Sequence, residues 1–130
     1  MANLDGKKRR VLLVEDEKDA KVLTALTLAE YRLTYARNFD EALLAARRGY
    51  FDLYILDGWL PDKSGGELCR AIREFDPHTP ILFYSAAAYA KDIQEGLRAG
   101  AQAYLVKPVI PEELRLAVAQ LISSPHEPAS

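Results

Sequence analysis

Several short apolar runs in this chain stop abruptly at residues that carry charge or offer a hydroxyl, and the types of those residues define a chemistry. The run at 53–56 (Leu-Tyr-Ile-Leu) ends at Asp57, and a loop punctuated by Gly58 and Pro61 follows. The run at 11–14 ends in Glu15-Asp16-Glu17, the run at 80–84 at Ser85, and the run at 103–106 at Lys107-Pro108. Carboxylates delivered from neighbouring strand ends make a hard-oxygen site suited to Mg²⁺, which takes few protein ligands and keeps several waters. Asp16 and Asp57 are the expected direct ligands, with the longer Glu15 acting through water. A carboxylate so placed can also serve as a nucleophile toward a phosphoryl group, provided cations and donors meet the phosphoryl oxygens as charge develops. The Lys107 ammonium and the Ser85 hydroxyl are the groups expected there.

These residues converge only if the runs lie side by side. The runs are too short for helices and apolar on both faces of a period-2 strand, which suits parallel strands covered on both sides. Between them lie helical patterns. Residues 18–30 place Val22, Ala25, Leu26 and Ala29 on one stripe. Asn38 and Glu41 have capping-box spacing ahead of a helix that buries Ala42, Leu43 and Ala46 and closes at Gly49. Ser64 and Glu67 repeat that spacing before Leu68, Ala71, Ile72 and Phe75. A weaker helix at 88–99 contains Gly96, whose cost of about 1 kcal/mol relative to Ala makes it the expected most mobile helix. Pro111 opens the last helix, with Leu114, Ala117, Val118 and Leu121 facing inward. Alternating strands and helices imply right-handed crossovers and an α/β, doubly wound parallel sheet with helices on both faces. Function in such sheets gathers at the carboxyl ends of the strands.

With 130 residues, 49% hydrophobic and 28% charged, the chain fits one domain. Expected boundaries are a lead-in at 1–9, the domain at 10–122 and a polar tail at 123–130. A net charge of -2 lacks the broad positive field that phosphate-backbone binding needs, so no direct nucleic acid contact is expected. The basic run at 7–10 reads as a solvated lead-in. Cys69 has no second cysteine to pair with and reads as small core packing, not as a nucleophile. No stretch is long enough to span a bilayer and no signal segment precedes the fold, so the cytoplasm is the expected setting, without a membrane partner.

The chain resembles the receiver domains of two-component response regulators. The resemblance runs from about residue 10 to 122. It rests on Val-Glu-Asp-Glu at 14–17, Leu-Asp-Gly-Trp-Leu-Pro-Asp-Lys-Ser-Gly at 56–65, Ser85-Ala86, and Gly-Ala-Gln-Ala-Tyr-Leu-Val-Lys-Pro at 100–108. It implies a five-stranded sheet in the flavodoxin-like order 2-1-3-4-5. It also implies Asp57 as phosphoacceptor, Glu15 and Asp16 as the acidic metal pair, and the Trp59 backbone carbonyl as a Mg²⁺ ligand. Ser85 becomes the switch hydroxyl, Lys107 the phosphoryl-binding lysine, Tyr104 the aromatic that swings inward, and Lys107-Pro108 a cis peptide. The implied partners are a histidine kinase or phosphotransfer protein as donor, and a downstream target or an output domain outside this chain. Phosphorylation would then change the face made by the fourth helix, fifth strand and fifth helix. A homodimer through the last two helices is permitted but not demanded. The implied role is signalling rather than enzymatic, apart from self-dephosphorylation. Trp59 is larger than expected beside the phosphoacceptor, which suggests slowed hydrolysis.

Each residue has a plainer reading when taken alone. Asp16 and Glu17 could begin a helix, Ser85 could bond its own backbone, Lys107 could be a solvated lysine, and Tyr104 could be ordinary core. An aspartate-nucleophile phosphatase of the haloacid dehalogenase type would need a general acid two residues after Asp57, where Trp59 stands. A phosphorylation-independent binding module on the same fold would not need Asp16, Asp57, Ser85 and Lys107 together. A nucleotide-binding enzyme would need a glycine-rich phosphate loop, and neither standard pattern follows the first strand.

Overall fold

The computed structural model describes residues 8–124. Most of the expected lead-in and tail therefore lies outside the described residues. The elements alternate as β1 (Arg10–Val14), α1 (Lys18–Thr27), β2 (Arg32–Ala36), α2 (Phe39–Arg48), β3 (Leu53–Leu56), α3 (Gly65–Arg73), β4 (Ile81–Ser85), α4 (Ala90–Arg98), β5 (Ala103–Val106) and α5 (Pro111–Ser123). All strand pairings are parallel, in the order β2-β1-β3-β4-β5. This is the doubly wound arrangement that the alternation implied.

Strand periodicity divides the core in two. Leu12, Val14, Tyr54, Leu56, Ile81 and Phe83 point to the side covered by α2, α3 and α4. Val11, Leu13, Leu53, Ile55 and Leu82 point to the other side, under α5 and Leu28. Burial on both faces is why these runs are apolar throughout. Val14 pairs with Leu56 and Leu56 with Phe83, so β1 and β3 end level and β4 runs two residues further, to Ser85. Arg73 ties the opposite end of the sheet: its guanidinium donates to the carbonyls of Gly100, Asp76 and Thr79 and to Gln102 Oε1.

Some local expectations need correction. In α1 the stripe through Val22, Ala25, Leu26 and Ala29 is not the buried one. Thr24 and Leu28 are buried, Ala25 is half-buried, and Val22, Leu26 and Ala29 are exposed. Glu17 starts the helix by accepting from the Asp19 and Ala20 N–H groups, and this phase turns the small Ala20 and Thr24 toward α5. At α2, Asn38 accepts from the Glu41 N–H at 2.8 Å. The Glu41 carboxylate, however, reaches Arg37, which offers both its backbone N–H and its guanidinium. The full reciprocal capping box forms at α3, between Ser64 and Glu67. That helix ends before Phe75, which is partly exposed beneath the Arg47 guanidinium. Gly96 in α4 is buried against aromatic rings: a Cβ there would lie 3.1 Å from the Phe83 ring and 3.2 Å from Tyr104. The residue that weakens the helix in isolation is what lets it approach the sheet.

Candidate functional site

The chemistry-bearing residues gather at the carboxyl ends of the strands, Ser85 as the last residue of β4 and Glu15, Asp57 and Lys107 one step beyond β1, β3 and β5, and the sheet's own ladder fixes their backbones. The Glu15 N–H donates to Ala36 O, the Asp57 N–H to Val14 O, and the Lys107 N–H to Ser85 O. Because β3 lies between β1 and β4, Asp57 emerges between the acidic turn after β1 and the hydroxyl ending β4. One carboxylate oxygen from each of Glu15, Asp16 and Asp57 lies within 4.8 Å of the others. Like charges this close repel unless a cation neutralises them, and an all-oxygen set with an exposed Asp16 fits a hydrated divalent ion.

The two Asp57 oxygens are not equivalent. Oδ1 accepts from Ser85 Oγ at 2.8 Å and from the Trp59 N–H at 3.3 Å. Ser85 is fully buried and is oriented by the Ala87 N–H, which donates to its Oγ at 3.1 Å. Oδ2 receives no hydrogen bond among the described residues.

Lys107 enters the acidic pocket from the end of β5. Its Nζ donates to Glu15 Oε1 at 2.6 Å and lies 5.1 Å from the centre of the Tyr84 ring. Glu15 is buried, and its Oε2 accepts from the Glu17 N–H. Burial pushes the Glu15 carboxyl above its ordinary range, while Lys107 pulls it down. The lysine is thus paired with one acid of the pocket. The Lys107-Pro108 peptide is cis, as the resemblance implied.

The stretch from residue 11 to 119 matches the family model described as the response regulator receiver domain. The chain belongs to this family. Similar proteins include the transcriptional regulatory protein ResD of Bacillus subtilis, 35% identical over 87% of this chain and 48% of ResD. The probable transcriptional regulatory protein TcrX of Mycobacterium tuberculosis is 35% identical over 94% of this chain and 53% of TcrX. This receiver domain therefore spans about half the length of the curated relatives it matches. Among solved structures, a CheY-like response regulator receiver domain protein from Methanospirillum hungatei superposes with a TM-score of 0.85 at 27% identity, covering 89% of this chain and 94% of that one. The receiver domain of the sensor histidine kinase PA1611 from Pseudomonas aeruginosa has a TM-score of 0.84 at 30% identity, covering 90% and 99% of the two chains. That structure holds a magnesium ion coordinated in its active site cleft.

Around the acidic pocket of this receiver domain, Tyr104 lies against the core. Its ring stacks on Phe83 at 5.3 Å, and its hydroxyl donates to Ala87 O at 2.6 Å. Partial burial raises its phenol above the ordinary value. Ala87 therefore joins Ser85 to Tyr104 through its N–H and its carbonyl. Sequence reasoning passed over Ala87, because a backbone contribution leaves no side-chain signature. It also passed over Gly58, where a Cβ would lie 3.0 Å from Ser85 Oγ and 3.4 Å from Tyr104 Oη. The signal for that glycine was present, directly after Asp57. The Trp59 side chain is 58% exposed. Cys69 is buried, and its thiol is pushed up to about 11, in keeping with packing rather than nucleophilic chemistry. No helix among the described residues is long and apolar enough to cross a membrane.

Proposed function

We propose that this receiver domain accepts a phosphoryl group on Asp57 from the phosphohistidine of a kinase or phosphotransfer protein, in a Mg²⁺-dependent reaction. The observation that carries the reading is the asymmetry of Asp57: Oδ1 is held by Ser85 and Trp59, Oδ2 accepts no hydrogen bond among the described residues, and the carboxylate lies beside Glu15 and Asp16. Oδ2 attacks phosphorus, the bond from phosphorus to the donor nitrogen breaks, and its electron pair leaves with the imidazole. Asp16, Asp57 and the Trp59 carbonyl would hold the metal, with Glu15 contributing through water. When bound, Mg²⁺ supplies positive charge to the phosphoryl oxygens. Lys107 exchanges its Glu15 carboxylate for a phosphoryl oxygen, and Ser85 turns its hydroxyl from Asp57 Oδ1 to another.

The Ser85–Ala87–Tyr104 chain of hydrogen bonds carries the change to the surface of α4, β5 and α5. There it shifts the population between two packings and so the preference for a target or an output domain. The compartment that suits this exchange and a reduced Cys69 is the cytoplasm. Self-dephosphorylation follows from water reaching the phosphoaspartate. Trp59 is bulky, exposed and two residues after Asp57, so Trp59→Asn is expected to shorten the lifetime of the phosphorylated form several-fold. A lifetime equal to the parent's would remove Trp59 from the account.

Trp59 is the sole tryptophan and adjoins the metal pocket, so its fluorescence tests the metal half of the proposal. Its emission should change saturably on adding Mg²⁺, and the affinity should fall at least roughly tenfold in Asp16→Asn. An unchanged Mg²⁺ response in that variant would place the ion elsewhere.

A further inference from the structure

The loop after Asp57 is tied to a helix that contributes nothing else to the pocket. Trp59 and Ser64 form an antiparallel bridge, and the Leu60 N–H donates to Lys63 O at 3.1 Å, so residues 59–64 make a small hairpin with Asp62 at its tip. The Asp62 carboxylate accepts from the Phe39 N–H at 2.9 Å and the Asp40 N–H at 3.4 Å, the first two amides of α2. Next to it the Lys63 ammonium lies 4.3 Å from the centre of the Phe39 ring. The hairpin tip is therefore anchored to α2 by a carboxylate on the positive end of the helix and by a cation on the first helical side chain.

Asn38 already caps α2 by accepting from the Glu41 N–H. The Asp62 contact is thus a second cap, supplied from a loop 23 residues further along the chain. At the base of the same hairpin, the Trp59 N–H reaches Asp57 Oδ1, and the Gly65 N–H donates to Gly58 O. Pinning the tip fixes the Trp59 peptide, whose N–H orients the phosphoacceptor and whose carbonyl is the proposed metal ligand.

We infer that Asp62 is a positioning residue for phosphoryl transfer: by tethering the 59–64 hairpin to the α2 N-terminus, it holds the Trp59 peptide in place beside Asp57. The inference rests on the reading of Asp57 as phosphoacceptor. It separates from simple helix capping, because Asn38 caps the same helix with no hydrogen bond to the hairpin among the described residues.

The test compares Asp62→Ala, Asp62→Asn and Asn38→Ala in the whole chain. Three readouts are needed: thermal midpoint, Mg²⁺ affinity from Trp59 fluorescence, and phosphoryl uptake from acetyl phosphate at saturating Mg²⁺. Asp62→Ala should weaken Mg²⁺ binding and slow uptake by roughly tenfold, as expected for a misplaced reacting group. Asp62→Asn, which keeps an acceptor oxygen, should recover most of both. Asn38→Ala should lower the midpoint as much as Asp62→Ala does and leave Mg²⁺ affinity and uptake near the parent values. Equal uptake in Asp62→Ala and the parent, or an equal loss in Asn38→Ala, would overturn the inference. Failure of the parent itself to take up a phosphoryl group would instead sink the phosphoacceptor reading. The Mg²⁺ affinities would then still decide whether Asp62 positions the hairpin.

Discussion

Gly65→Ala is expected to destabilise this domain about as much as truncation of a core side chain, and to disable the site in whatever fraction stays folded. A Cβ at residue 65 would lie 2.2 Å from the Asp57 carbonyl oxygen, 2.8 Å from Phe83 Cε1 and 3.0 Å from Gly58 Cα. Two of these neighbours are backbone, so no rotamer change relieves them. The Gly65 N–H also donates to Gly58 O at 2.8 Å, which holds α3 against the end of β3. Overpacking a core commonly costs about 1–3 kcal/mol, and a clash with backbone puts this case at about 3 kcal/mol or more. Gly66→Ala is the matched control. Its Cβ would meet only the Glu95 side chain, at 3.6 Å and beyond, so the better helix former should leave stability unchanged or raise it by up to about 1 kcal/mol. Denaturant midpoints measure both. Similar midpoints for the two variants would contradict the close approach of α3 to Asp57.

Lys107→Met should cost both stability and reactivity. Removing one partner of a buried ion pair costs about 3–5 kcal/mol. The Lys107 side chain is 21% exposed against 5% for Glu15, which brings the expected loss nearer about 2 kcal/mol. The loss should depend on pH with a definite sign. Burial and the Asp57 charge already raise the Glu15 carboxyl above its ordinary 4.5, and Lys107 opposes them. Without the lysine the carboxyl rises further. A group whose folded pKa is raised favours the fold at pH below its unfolded value and loses that contribution as pH climbs through the folded one. The deficit of Lys107→Met in metal-free buffer should therefore be smallest toward pH 4.5 and grow toward neutrality. Added Mg²⁺ should recover part of it. Phosphoryl uptake should fall by roughly 100-fold or more, as when one preorganised donor to a reacting oxygen is lost. A pH-independent deficit would mean that Glu15 does not depend on Lys107.

The sheet was legible because burial on both faces forces every strand residue to be apolar, and β3 and β5 fall where the runs at 53–56 and 103–106 predict them. The site was legible for the same reason, since each of those runs stops at the residue that does the chemistry. The misreading of α1 has a physical origin. Thr24 is polar by type yet only 4% exposed, whereas Leu23 and Leu26 are 65% and 70% exposed. Periodicity alone cannot tell a core-facing stripe from an apolar stripe left on the surface. The Lys107–Glu15 pair joins residues 92 positions apart, and no local pattern encodes which carboxylate a lysine will choose. Gly58 reads as loop punctuation and Gly96 as a weak point in the sequence, while Gly65 carries no reading of its own. Their role as clearance for Ser85, Asp57 and Phe83 emerges only once the partners are in place.

The most direct measurement is the intact mass of the protein after incubation with acetyl phosphate and Mg²⁺, beside Asp57→Ala and a metal-free control. One added phosphoryl group on the parent, absent from both controls, is the result this account predicts. An unmodified parent, under a fast quench and with histidine kinases also supplied as donors, would contradict it. Equal phosphorylation of Asp57→Ala and the parent would do so as well.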